Sequence, residues 1–201
     1  MGRAMQGFSQ AADNNKTAIL AVLGQWLAND ASVLEIGSGS GQHALHAAAA
    51  MPNVRWQPTE RGEALATLTS NIAAFGTANI LPPVALDLAL PQWPASPYDC
   101  VYSANVLHIV SAALGASLIQ GSANTLVENG LLALYGPFKY QGEFTTPSNA
   151  DFDLWLKDRD PHSGVRDFEW VSGLANDAGL SLVEDRAMPA NNRLLTFRRR
   201  I

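Results

Sequence analysis

The stretch SVLEIGSGSGQHA, Ser32 to Ala44, constrains what this chain can fold into more than any other part of it. An apolar run, Val33-Leu34-Glu35-Ile36, reads as a strand and feeds glycines at alternate positions, Gly37, Gly39 and Gly41, after which the chain turns alanine-rich and helix-prone. A strand that stops at Gly-x-Gly and restarts as a helix exposes unpaired backbone N–H groups and the positive end of the helix dipole. A polar or anionic ligand is expected at that turn.

The periodicity alternates on both sides of it. Ile19, Val22, Leu23, Trp26 and Leu27 recur at helical spacing, predicting a first helix ended by Asn29-Asp30. Strand Val33–Ile36 is followed by a helix from Gln42 through Met51, strand Val54–Pro58, helix Gly62–Phe75, a strand near Val84–Leu86, a proline-rich connector and strand Asp99–Ser103. A helix around Ala112–Leu126 and strand Gly130–Tyr135 come next. This alternation predicts an α/β fold, a mainly parallel, doubly wound sheet covered by helices on both faces. After Tyr135 comes a polar stretch without clear periodicity, too long for an idle connection, with a short helix expected near Phe152–Leu156. It reads as a lid or substrate insertion over 139–164 within one domain spanning 1–201. Asp167 is placed as the cap of a helix through Ala178 that stops at Gly179, and LSLVEDRAMP and NRLLTFRRR form closing strands around a turn at Ala190-Asn191.

Composition removes several classes of function. With 47% hydrophobic and 15% charged residues over 201 positions, the chain has the makings of a folded domain. The lone Cys100, in the apolar YDCVYSA, reads as a buried thiol in a reducing compartment. No segment approaches the run of about 20 apolar residues that spans a bilayer, and the first residues show no apolar leader, so a cytoplasmic chain with no membrane partner is expected. A formal charge of −5 suits no nucleic-acid partner, and the one basic cluster, FRRRI at the end, reads as a solvated strand terminus. His43, His46, His108 and His162 form no ligand spacing with carboxylates or the cysteine, and no metal is expected. Nothing in the sequence sets the oligomeric state.

The glycine loop admits competing ligands. A P-loop ends in Gly-Lys-Ser/Thr, and Gly41-Gln42-His43 offers no lysine for phosphates. A nicotinamide fingerprint counted from Gly37 needs its third glycine at position 42, where Gln42 stands. A nicotinamide-dependent oxidoreductase therefore stays as an alternative, beside a cofactor-binding interaction protein with little catalysis.

The spacing Glu-x-Gly-x-Gly-x-Gly resembles motif I of the class I S-adenosylmethionine-dependent methyltransferases. The resemblance implies that Gly37, Ser38, Gly39 and Gly41 approach the methionine and ribose of S-adenosyl-L-methionine, while Glu35 orders the turn near the ammonium. A carboxylate there repels a diphosphate and suits an ammonium and a sulfonium. Glu60, ending WQPTE, stands where an acidic side chain takes both ribose hydroxyls in charge-assisted hydrogen bonds. Asp87, in VALDLAL, resembles the motif III aspartate that accepts from the adenine amino group, with Leu88 supplying adjacent backbone. In YSANVLHIV, Ser103, Ala104 and Asn105 are implied beside the methionine moiety, and Leu107-His108 begin the acceptor side. The Asp/Asn-Pro-Pro-aromatic motif of base-methylating enzymes is absent. More closely, AADNNKTAIL, VLEIGSGSGQHA, WQPTE, ANVLHI, LYGPFKYQGEFTTPSNADFDLWL, GVRDFEWV and MPANNRLLTFRR together are similar to the small methyltransferase-like family catalogued as domain of unknown function 938, over nearly the whole chain. One departure is Glu60, where aspartate is expected to be commoner. The superfamily resemblance implies seven strands in the order 3-2-1-4-5-7-6, the last antiparallel.

Methyl transfer is an in-line displacement that needs alignment, exclusion of water and sometimes a base. His108, a few residues beyond the fourth strand, is the candidate general base, with Asn105 beside it on the pocket floor. His43 is expected to cap or line the helix after the loop. Tyr135, Lys139, Tyr140, Asn149 and Arg166 are the residues expected to orient a small-molecule methyl acceptor, a polar or moderately apolar metabolite. Phe152 and Trp155 read as packing beneath the lid.

Overall fold

The structure, a computed structural model, describes residues 4–95 and 97–200. Residues 1–3 of the polar N-terminal stretch, Ser96 of the proline-rich connector and Ile201 of the basic tail lie outside the described residues. The chain divides into two compact units, Met1–Ser103 and Ala104–Ile201.

In the first unit, α1 (Gln10–Leu23) begins at Ser9, whose hydroxyl accepts from the Ala12 N–H, and buries Ile19, Val22 and Leu23. It ends six residues before the expected Asn29-Asp30: the helix caps at Gly24, and Trp26 and Leu27 continue only as turns bonded back to the Leu23 carbonyl. Strand β1 (Ser32–Ile36) is buried along its whole length, as a strand covered on both faces must be. Then come α2 (Gln42–Ala50), β2 (Arg55–Glu60), α3 (Gly62–Phe75), the two-residue β3 (Val84–Ala85) and β4 (Tyr98–Ala104). β1 pairs in parallel with β2, Val33 opposite Trp56, and with β4, Glu35 opposite Tyr102. Cys100 lies in this core at 1% exposure, and burial pushes its thiol up to about 12, so it is an inert packing group.

In the second unit, Ser111 caps α4 (Ala112–Thr125), which runs into β5 (Leu126–Gly136). The polar stretch after Tyr135, where no periodicity was visible, holds β6 (Phe138–Tyr140), β7 (Glu143–Phe144) and α5 (Pro147–Arg159), followed by β8 (Arg166–Asp167), with a small sheet in the order β7-β6-β8. α5 contains the short helix expected near Phe152–Leu156 and extends well beyond it on both sides. Its start carries an N-cap, the Thr146 hydroxyl, and a proline in its first turn. The helical period was invisible because two polar residues, Asn149 and Asp153, join Leu156 on the buried face, while Leu154 and Trp155 are exposed. Asp167 caps α6 (Phe168–Asp177), and β9 (Leu180–Met188) and β10 (Asn192–Arg199) close the unit through a turn with Ala190 and Asn191 at positive φ.

The seven-stranded sheet has the order β3-β2-β1-β4-β5-β10-β9, with β10 antiparallel to β5 and β9. Numbered within the sheet, this is 3-2-1-4-5-7-6. The basic tail is a strand end: Arg198 and Arg199 donate to the carbonyls of Asn129 and Leu126, and Arg200 to Asn176. Among the described residues, no helix is long and apolar enough to cross a membrane.

The bend from β1 into α2 depends on Gly41. Its φ is +87°, and a Cβ there would stand 2.9 Å from Leu68 and 3.2 Å from Ile72, both buried on α3. Gly41→Ala is expected to destabilise the protein by about 1–3 kcal/mol, from left-handed strain plus overpacking, as read by urea denaturation.

Candidate functional site

In the first unit, Gly37, Gly39 and Gly41 have φ of +70°, +55° and +87°, so the chain leaves β1 in a bend that side chains rarely tolerate. Ser38 locks the bend to β2: its N–H donates to the Thr59 carbonyl at 2.9 Å, and its hydroxyl accepts from the Thr59 N–H at 3.2 Å. Thr59 in turn donates its hydroxyl to the Glu35 carbonyl. Gly41 caps α2 with no side-chain acceptor. Beside Gly39 the space is open, with nothing within 4 Å of where a Cβ would stand.

Glu60, at the end of β2, accepts from the Gly39 N–H through Oε2 at 2.8 Å and from its neighbour's N–H at Arg61 through Oε1 at 2.9 Å. Each carboxylate oxygen has a second lone pair. The next strand end brings Asp87 close by sequence and pairing, since Glu60 lies opposite Ala85 and the Leu86 N–H donates to the Glu60 carbonyl. Asp87 accepts from the Ala89 N–H and lies 3.9 Å from the Arg61 guanidinium; Leu88 is half-buried. Ser103 is buried, its hydroxyl donating to the Ile36 carbonyl at the mouth of the bend, and Ala104, which ends β4, is half-buried.

Beneath the loop runs a buried polar chain. Glu35, 2% exposed, accepts from the Trp56 indole N–H at 2.8 Å, and burial pushes its carboxyl up to about 7 against the hydrogen bonds from Trp56 and Ser38. Trp56 packs edge-on to Tyr102. The Tyr102 hydroxyl and His43 Nδ1 are 2.7 Å apart, as are His43 Nε2 and Asn15 Oδ1. A neutral imidazole protonated at Nε2 satisfies both contacts. Burial holds His43 down at about 4, and both its nitrogens are engaged, one toward α1 and one toward β4. His43 lies in the first turn of α2, the helix it was expected to cap or line, and its ring ties α1 and β4 to that helix.

In the second unit, Asn105 takes φ +59° and donates its N–H to the Tyr135 carbonyl at 2.8 Å. His108, 4% exposed, turns its ring edge-on to Phe152 with centroids 5.2 Å apart, and a Cβ on Gly136 would meet its Nδ1 at 3.3 Å. Burial, and secondarily the Arg166 charge, hold the imidazole down at about 4, so it is neutral at pH 7. Its backbone is pinned, the carbonyl accepting from the Gly164 N–H at 2.8 Å. Neither ring nitrogen has a hydrogen bond among the described residues.

The residues expected to orient an acceptor are largely engaged elsewhere. Arg166 donates to the carbonyls of Leu107, Val110 and His162, which makes it the brace of the segment carrying His108. Asn149 donates to Thr145 and to the Asn191 carbonyl. Tyr140 donates to Asp185 at 2.8 Å and stacks on Phe168, and Lys139 lies over the Phe144 ring. Tyr135 is buried in β5 opposite Leu194. Phe152 stacks on Trp155, which carries the Arg159 guanidinium on its face. Sequence reasoning passed over Trp56, Thr59 and Asn71; a polar residue between Leu68 and Ile72 on an apolar helix face was the available signal for Asn71.

Glu35→Gln keeps an acceptor for Trp56 and cannot ionise. A folded carboxyl at about 7, against 4.5 for an ordinary one, holds its proton more tightly than the unfolded chain does. The stability this confers is complete below 4.5 and lost as pH rises to 7, so the variant should match the parent near pH 5 and exceed it at pH 8 by roughly 1–3 kcal/mol in denaturant titrations. His43 and His108 act in the opposite sense, destabilising both proteins alike as pH falls from 6.5 toward 4.

The fold is similar to that of several solved methyltransferases. An O-methyltransferase family protein from Burkholderia thailandensis superposes with a TM-score of 0.79 at 18% identity, covering 92% of this chain and 56% of that one. An O-methyltransferase family 2 protein from Planctomyces limnophilus, in complex with apigenin, gives 0.79 at 20% identity over 94% and 58%. PigF with SAH gives 0.73 at 17% identity over 83% and 50%. At these identities the likeness is one of fold, and this chain spans little more than half the length of those proteins. The model of the family described as "Protein of unknown function (DUF938)" matches residues 6–199, and the chain belongs to that family.

Proposed function

We propose that this protein transfers a methyl group from S-adenosyl-L-methionine to a small-molecule acceptor. The observation that carries the reading is the open backbone at Gly39, held by the Glu60 carboxylate between left-handed glycines. The donor set suits this cofactor. Glu60 keeps lone pairs for two ribose hydroxyls, Asp87 stands on the adjoining strand end for an adenine amino group, and Glu35, its carboxyl pushed up to about 7 by burial, is a group that a nearby ammonium would draw into its ionised form. The structural neighbours support it, one of them holding S-adenosylhomocysteine.

The cofactor supplies a methyl carbon made electrophilic by its sulfonium. The chain's own residues must align an acceptor, exclude water and take a proton. In this reading His108 is the general base: neutral at pH 7, braced through Arg166 and Gly164, and with no hydrogen bond to its ring nitrogens among the described residues, its ring accepts the acceptor's proton as the new bond to carbon forms. Asn105, held in a left-handed turn, joins it on the floor of the acceptor pocket. Segment 139–164 covers that pocket, its contribution coming from the β6–β7 hairpin and α5, and the whole of 1–201 works as one catalytic domain. The apigenin bound to one neighbour supports an acceptor of small-molecule size.

Thermal shift and calorimetry with S-adenosylhomocysteine and NAD(H) test the ligand. Saturation at 100 times the dissociation constant should add about 2.7 kcal/mol with the first and nothing with the second. Glu60→Ala is expected to weaken binding about ten- to hundredfold. Gly39→Ala should cost the free protein only about 1–2 kcal/mol of backbone strain while abolishing measurable binding. With an acceptor found by untargeted screening for methylated metabolites, His108→Gln is expected to lower turnover roughly 10²–10⁴-fold at nearly unchanged cofactor affinity; unaltered turnover overturns its role as base.

A further inference from the structure

The chain before α1 is fastened to the glycine loop by side chains whose position no motif explains. Asn71, on α3 and 2% exposed, accepts from the Gln6 N–H at 3.0 Å and donates to the Gln6 carbonyl at 2.8 Å. Its amide also donates to the Ser40 carbonyl at 2.8 Å, inside the loop. Gln42, the residue that breaks the nicotinamide fingerprint, repeats the pattern on Ser9: Oε1 accepts from the Ser9 N–H at 2.6 Å, and Nε2 donates to the Ser9 carbonyl at 3.1 Å. Gln42 is 5% exposed. Between the clamps, Gly7 takes φ +64°, and a Cβ there would lie 3.4 Å from Thr67 and 3.7 Å from Ser40.

Two buried amides thus hold the backbone on either side of residues 7 and 8 through both its donor and its acceptor, and they hold it against Ser40, which lies between Gly39 and Gly41. A segment held this tightly leaves Phe8 at 56% exposure. An aromatic side chain left in water on a fixed backbone contributes little to folding, whereas burial against a ligand would remove its apolar surface from water.

We propose that residues 4–9 form a strap that completes the cofactor site, with Phe8 closing on the nucleoside bound at the glycine loop and with Asn71 and Gln42 as its positioning residues. This rests on the cofactor reading above and assigns to it a wall outside the superfamily motifs. It also gives Gln42 a function at the point where a dinucleotide loop would carry glycine: the side chain fills the third-glycine position and carries the strap.

The experiment measures S-adenosylhomocysteine binding and dissociation, together with hydrogen exchange of residues 4–9 with and without that ligand, in the parent, Phe8→Ala and Asn71→Leu. In the parent the strap should gain protection when ligand is added. Phe8→Ala, at an exposed position, should leave the unfolding of the free protein nearly unchanged while weakening binding about tenfold through faster dissociation. Asn71→Leu should raise exchange of residues 4–9 in the free protein and weaken binding likewise. Parent-like affinity in Phe8→Ala with strap exchange indifferent to ligand overturns the strap while leaving the cofactor reading standing. A parent chain that binds no S-adenosylhomocysteine overturns both.

Discussion

The rest of the first unit depends on the sharp reversal of backbone between β1 and α2. Three residues within five positions take positive φ, each a glycine, at the exit of a strand buried on both sides. Such a bend would cost an ordinary sequence about 1–2 kcal/mol at each left-handed residue. It is held by backbone bonds to β2 at Ser38, by the Glu60 carboxylate at Gly39 and by the tight fit of Gly41 against Leu68 and Ile72. The glycines serve different ends: Gly41 is glycine because α3 fills the space, and Gly39 because the space beside it is open.

Burial of polar groups under this bend is unusual for so apolar a core, and each group is satisfied by a partner from another element. Glu35 meets Trp56, Ser103 meets the Ile36 carbonyl, and His43 bridges Asn15 and Tyr102. An unpaired member of such a set costs about 1–3 kcal/mol, so the set favours one arrangement of α1, α2, β1, β2 and β4 over near alternatives. It leaves Glu35, two residues before the first glycine, with a carboxyl that burial pushes up to about 7. The second unit uses the same device. Asp153 on α5 accepts from the Val165 N–H and pairs with Lys157, and Arg166 gathers the carbonyls around His108. The Arg166 bonds hold the backbone on either side of His108, whose ring nitrogens have no hydrogen bond among the described residues.

The sequence alone determined the strand–glycine–helix turn and the alternation of elements, because these follow from local conformational preference and from periodicity repeated along each segment; the strand order and the antiparallel last strand were legible only through the superfamily resemblance. It also determined Glu60 and Asp87 as strand-end carboxylates. The tertiary structure decided what periodicity cannot carry. α5 hid because its buried face is polar, and a polar face packs inward only when Val165, Thr145 and Asn191, distant or irregular in sequence, are there to meet it. His43, read from the sequence as capping or lining the helix after the loop, bridges two further elements because Asn15 and Tyr102 converge on its two nitrogens. Gln42 looked like a missing glycine until Ser9, 33 positions away, took both ends of its amide. Hydrogen-bond partners far apart in sequence are chosen by packing, and so a side chain's role at a site is settled by the fold around it.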